Sequence, residues 1–157
     1  MASTVPLSRP LTITSIVLQV AVAGLFLMMS MGKLTGADDA KFIFEQVGME
    51  PMGRYATGVA ELVAAVMLFV PKTRIYGAIL ALMVIVGAIG SHLTKLGISV
   101  TLPSSITPEA PEGVADSSMF GMAVFVFVAS AAVLVIRRTE LPVIGAALTA
   151  RGESKTV

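Results

Sequence analysis

Cysteine is absent from the 157 residues of this chain, histidine occurs once, and only 13% of the residues are charged. Without cysteine there are no disulfides, no iron–sulfur ligands and no thiol redox chemistry. A single histidine, His92, argues against an all-protein transition-metal site, and none is expected. A soluble domain carries about a quarter charged residues, so the shortage here means that most of the surface faces lipid. The net charge of +1 supplies no basic footprint for a nucleic-acid partner.

What the chain has instead is apolar length: 55% of it is hydrophobic and its mean hydropathy is +0.89. Four runs stand out. Thr12–Met31 is uncharged, with Gln19 its most polar member; Tyr55–Val70 holds only Glu61; Ile75–Leu93 holds only His92; Met119–Ile136 is uncharged. Helical spans of ~17–25 residues cross a ~30 Å hydrocarbon core. The second run reaches that length if its helix starts near Pro51, where proline is tolerated in a first turn. A cleaved signal peptide does not fit the first run, which is long and has no small-residue cleavage site ahead of a soluble remainder. The expected fold is an all-α integral membrane four-helix bundle in a single domain over 1–157. Its helices are placed at about 11–32, 51–70, 74–94 and 118–137, followed by a cytoplasmic tail over 138–157 whose last residues, Arg151–Val157, are polar.

Two connections lie on one side of this bundle. In Gly36–Gly48, Asp38 or Asp39 is placed to cap a short interfacial helix between helices 1 and 2, with Ala40, Ile43, Phe44 and Val47 on one face and Gly48 at its end. That helix either lies along the membrane surface or lids the bundle. The second connection, Gly97–Ser118, carries Pro103, Pro108 and Pro111 among acids and serines and reads as a solvated linker. The other side, with both termini and the Pro71–Arg74 turn, holds seven Lys and Arg residues against four on the loop side. Positive charge collects on the cytoplasmic face, so both termini are expected there.

A carboxylate in the middle of an apolar span is the chain's costliest feature, at roughly 2–3 kcal/mol on insertion scales. Arg54, Gly58 and Glu61 follow an i, i+4, i+7 line, and Gly58 leaves room for a long cation to approach the acid. Gln19, Phe26 and Lys33 are spaced by seven on the first helix, with Ser30 beside Lys33. Antiparallel neighbours bring Lys33 and Glu61 into the same half of the membrane, and His92 emerges on that side. Lys33, Arg54, Glu61 and His92 are therefore candidates for one ligand-binding or proton-relay pocket, and Gln19 is a more distant candidate. The duller readings stand beside this one. The Lys33–Glu61 pair fixes helix register, Arg54 snorkels to the headgroups, and Gln19 donates between helices. Gly87, Gly90, Ala64 and Ala65 allow close helix packing.

These residues also resemble a known family. The segment Gly32-Lys33-Leu34-Thr35-Gly36, the following Phe44, Gly48 and Pro51, then Gly58-Val59-Ala60-Glu61-Leu62 closed by Pro71, and Gly87-Ala88 before His92-Leu93 are similar to the DoxX and DoxX-like membrane proteins. The similarity runs from about Leu25 to Leu93. It implies a four-helix, multi-pass protein of a bacterial or archaeal inner membrane, and it singles out Lys33, Glu61 and His92. The family takes its name from a small subunit of an archaeal thiosulfate:quinone oxidoreductase, or terminal quinol oxidase, and family membership does not fix function. The chain carries no haem, flavin or metal motif, so redox chemistry requires a quinone or a cofactor held by a partner. The leading expectation is a non-autonomous subunit that binds a quinone or similar lipophilic molecule for a membrane oxidoreductase assembly, as a partner subunit or a homo-oligomer. The alternatives are a small proton-coupled transporter and a non-catalytic assembly or scaffold protein.

Overall fold

In a computed structural model, residues 7–106 and 116–140 are described. The expected tail beyond 140 and the loop residues 107–115, with Pro108, Glu109, Pro111 and Glu112, lie outside the described residues. Four long helices form the body: α1 (Arg9–Thr35), α3 (Met52–Phe69), α4 (Arg74–Ser91) and α5 (Ser118–Ile136), with the short α2 (Asp38–Val47) between α1 and α3. Each long helix has the length and hydropathy to cross a membrane. The fold is thus the expected all-α bundle with a short helix after the first span.

The burial pattern is inverted relative to a soluble bundle. Ile13, Val17, Met28, Met83 and Val135 are each about 60% or more exposed, and Ser15, Gln19, Ser30, Arg54, Glu61, His92, Ser130 and Arg137 are buried. Apolar side chains gain nothing by leaving lipid for a protein interior, so close packing and polar contacts hold such helices together. Seven of the thirteen residues in the central core are alanine, packed around Phe26, Ile85 and Val126. Small side chains let the backbones approach, most closely at Gly77, where an added Cβ would lie 2.8 Å from Leu68 N. Ala64 and Ala65 take this packing role, but Gly87 and Gly90 do not: nothing stands within 4 Å of a Cβ added to either. The space beside Gly87 belongs to a cavity.

The ends of the elements explain where the bundle turns. The α1 helix stops at Gly36, whose φ of 75° is left-handed, and Ala37 N–H closes the end on Gly32 O. Gly48 ends α2 in the same way, with φ 78° and Met49 N–H bonded to Phe44 O. The N-terminal boundary of α2 differs from expectation. Ala37 occupies the cap position without a side-chain bond, and Asp38 and Asp39 sit in the first turn, where acids favour the positive helix end. The α4 helix does not run regularly to residue 94. After Ser91 it widens into a single turn over His92–Leu96, with Gly97 N–H bonded to His92 O five residues back.

Nor is the following connection wholly a solvated linker. Val100 is buried and exchanges two backbone hydrogen bonds with Asp116, which pins the connection just before α5. Asp116 then accepts from Ser118 N–H at 2.7 Å and Ser118 Oγ at 2.7 Å, bonds that hold its carboxyl below the usual carboxylate range.

Candidate functional site

Lys33 lies in the last turn of α1 and Glu61 midway along the antiparallel α3. The Lys33 ammonium donates to both carboxylate oxygens, Oε1 and Oε2, at 2.9 Å each. The two helices come this close because of Gly58: a Cβ there would sit 3.0 Å from Lys33 Cβ and 3.1 Å from Leu34 Cδ2. Only 3% of the Glu61 side chain and 13% of the Lys33 side chain are exposed. An opposite charge at bonding distance compensates each desolvated ion.

His92 approaches the same region from the start of the wide turn after α4. Its Nδ1 is 2.8 Å from Gly97 O, and its ring meets Phe120 of α5 edge-on at 5.6 Å. Gly97, at φ 80°, takes a backbone conformation that side chains disfavour, and this brings its carbonyl back to the ring.

Lys33, Glu61 and His92 all border one cavity of about 710 Å³. That is within the ~300–1,000 Å³ of small-molecule sites. The walls are otherwise apolar and rich in methionine: Met28, Met29, Met83, Met119 and Met122 contribute from three long helices and Met49 from the turn before α3. Methionine is flexible and polarizable and conforms to ligands of irregular outline. Ala40, Ile43, Phe44 and Val47 of α2 close the cavity, so the apolar face read from the sequence serves as a lid. None of the α2 residues is itself buried, in keeping with a cover over a hollow.

Two other candidates sit elsewhere. Arg54 does not snorkel; it is 3% exposed and is not among the residues that line the cavity. Its guanidinium holds Glu50 through Nε at 2.9 Å and Nη2 at 2.8 Å, bonds to the Lys33 carbonyl through Nη1, and has its Cζ 4.3 Å from the Tyr55 ring centroid. A cation on the carbonyl end of α1 opposes the negative end of the helix dipole. Arg54 thereby fixes the backbone from which the Lys33 side chain departs. Gln19 is far from the cavity, in the half where α1 begins, and its Nε2 donates within its own helix to Ser15 O at 2.9 Å and Ser15 Oγ at 2.7 Å. Among the described residues it donates no bond between helices, because Ser15 one turn away takes its N–H groups.

That half holds a polar cluster which the sequence reading missed. Arg137 Nε donates to Ser15 Oγ at 2.6 Å and its Nη1 to Glu140 Oε1 at 2.8 Å, while Arg74 Nη2 reaches the same oxygen at 2.6 Å. Arg137, one of the seven cations counted on the side of the termini, is 2% exposed. The i, i+3 spacing of Arg137 and Glu140 was the available signal. Partial burial pushes the Glu140 carboxyl up; the bonds from Arg74 and Arg137 outweigh this and hold it below the usual carboxylate range.

The DoxX-like family pattern matches residues 17–106, which includes Lys33, Glu61 and His92 and extends over more than half of the chain. The chain belongs to the DoxX-like family. With its four apolar helices, this DoxX-like protein is a multi-pass membrane protein in a lipid bilayer. No curated protein matches it, and no solved structure does. Among the described residues no group of three or more His, Asp or Glu side chains is placed to hold a metal ion.

Proposed function

We propose that this DoxX-like protein binds a quinone or a similar lipophilic molecule and serves as a membrane subunit of an oxidoreductase assembly. The observation that carries the reading is the 710 Å³ cavity, apolar along its walls and bordered by an ion pair and an imidazole. An amphipathic ligand fits such a space with its head at Lys33, Glu61 and His92 and its tail among the methionines. The chain has no redox centre of its own sequence, so electrons come from a partner subunit and this protein's part is binding. The lid end faces outward and the end with Arg74 and Arg137 faces the cytoplasm, in keeping with the seven-to-four bias of Lys and Arg.

Titration of purified protein in nanodiscs with quinone analogues tests the reading. Glu61→Gln and Lys33→Met are each expected to weaken binding by about tenfold or more, since a hydrogen bond to a charged group is worth ~1.5–3 kcal/mol. Unchanged affinity in both variants discards the site. A protein whose ion pair serves only assembly or register would bind none of the analogues in the wild-type form.

A further inference from the structure

The polar groups that border the cavity are strongly unbalanced in hydrogen-bonding character. Among the described residues, besides Lys33 and Glu61, they are Asp39, Thr57, Ser91 and His92. Both hydroxyls have already committed their protons to carbonyls of their own helices: Thr57 Oγ1 donates to Gly53 O at 2.6 Å and Ser91 Oγ to Gly87 O at 3.0 Å. Toward the cavity each has only lone pairs left. Asp39 and Glu61 are carboxylates and accept; Asp39 takes Ala40 N–H at 2.8 Å, and Glu61 takes two bonds from Lys33.

His92 follows the same rule. A carbonyl oxygen carries no proton, so the 2.8 Å contact with Gly97 O places the ring hydrogen on Nδ1. In the neutral ring Nε2 is then a bare acceptor, and among the described residues the hydrogen bond of His92 runs through Nδ1 alone. Turning the ring over to offer its N–H instead would forfeit the bond to Gly97 O. Among the described side chains, against these acceptors stands one spare donor, the third proton of Lys33, whose other two serve Glu61.

We infer that the ligand of this cavity is a hydroxyl-bearing amphiphile, a lipid-soluble phenol, hydroquinone or alcohol, whose O–H is accepted by His92 Nε2. The inference rests on the binding reading proposed above and narrows it. A dione or ether offers only acceptors and would meet the single Lys33 proton. A hydroxyl compound of the same shape finds His92 and the neighbouring oxygens as well. An analogue that lacks the proton is disfavoured, because Nε2 of the buried His92 is then left unpaired.

Three tailed probes with one ring and one alkyl chain decide it: the hydroquinone, its dimethyl ether, and the corresponding dione, with the diol titrated anaerobically into wild-type protein in nanodiscs. The diol is expected to bind about tenfold more tightly than either of the others, the ratio that one net hydrogen bond supports. The dimethyl ether keeps the ring and removes only the protons, so the wild-type comparison needs no variant to fold. His92→Phe is then expected to bring the three affinities together. Equal affinities in the wild type, or a preference for the dione, overturn the inference and leave the cavity a binding site. Retention of the preference in His92→Phe overturns the assignment to His92. Failure of all three probes to bind removes the binding reading itself.

Discussion

At the scale of single residues, the Lys33–Glu61 pair has the largest energetic stake. Both carboxylate oxygens bond to one ammonium, and neither side chain has much water. Removing one partner strands the other as a buried charge, a loss of about 3–5 kcal/mol, whereas removing both for apolar groups of similar size is often neutral or favourable. Glu61→Gln and Lys33→Met are therefore each expected to lower the thermal midpoint in detergent strongly, and the double replacement Lys33→Met with Glu61→Leu to recover most of the loss. A double-mutant cycle measures this, and additive single effects would mean that the two charges are not coupled. Arg54 shows how a residue is misread when considered alone. Its side chain is long enough to snorkel, yet Glu50 one turn earlier and the Lys33 carbonyl at the end of α1 satisfy it inside. The Glu50 spacing was visible in the sequence; the exposed carbonyl of another helix was not.

At the scale of elements, the two ends of the bundle are closed by different means. The lid end has α2, an amphipathic segment between two left-handed glycines, Gly36 and Gly48, with its apolar face over the cavity. The opposite end is clipped by Glu140, which ties the start of α4 to the end of α5 through Arg74 and Arg137. The clip depends on pH with a defined sign. The folded Glu140 carboxyl titrates below its ordinary value of 4.5, so its contribution to stability is fully present above that pH and fades as the pH falls through the lowered folded value. Glu140→Gln is expected to be less stable than wild type by about 1.5 kcal/mol at pH 7, the low end for hydrogen bonds to charged groups because the Glu140 side chain is partly exposed. The gap should narrow below pH 4.5. Midpoints measured across pH 7 to 3 check it, and a gap that stays constant with pH would rule out the carboxylate as its cause.

At the scale of the whole molecule, the arrangement is an apolar exterior around a polar interior. The cavity sits in one half and the arginine cluster in the other, with Val22, Phe26 and Val126 packed in the core. The absence of cysteine makes sidedness directly measurable, because any introduced thiol is unique. Lys41→Cys, on the lid helix, is expected to react with a membrane-impermeant maleimide in intact cells. Thr73→Cys, in the turn between α3 and α4, is expected to react only after the membrane is opened. Reversed labelling would invert the proposed orientation and place the cavity on the cytoplasmic side.

The four spans, the amphipathic face of α2 and its end at Gly48 were legible in the chain, because hydropathy, helical period and the freedom of glycine to take positive φ are local properties. The need of Glu61 for a cationic partner was legible too, since its cost in an apolar run follows from the residue and its neighbours alone. Three features were decided only when the helices came together. Arg137 became a buried partner of Ser15 across 122 positions. His92 had its ring fixed by Gly97 and Phe120. The hollow between α1, α3, α4 and α5 acquired a few acceptors on otherwise apolar walls. Each depends on which groups from distant parts of the chain meet at hydrogen-bonding distance, and that is settled by packing: alanine and glycine contacts set how near the backbones come, and every polar partner follows from that separation.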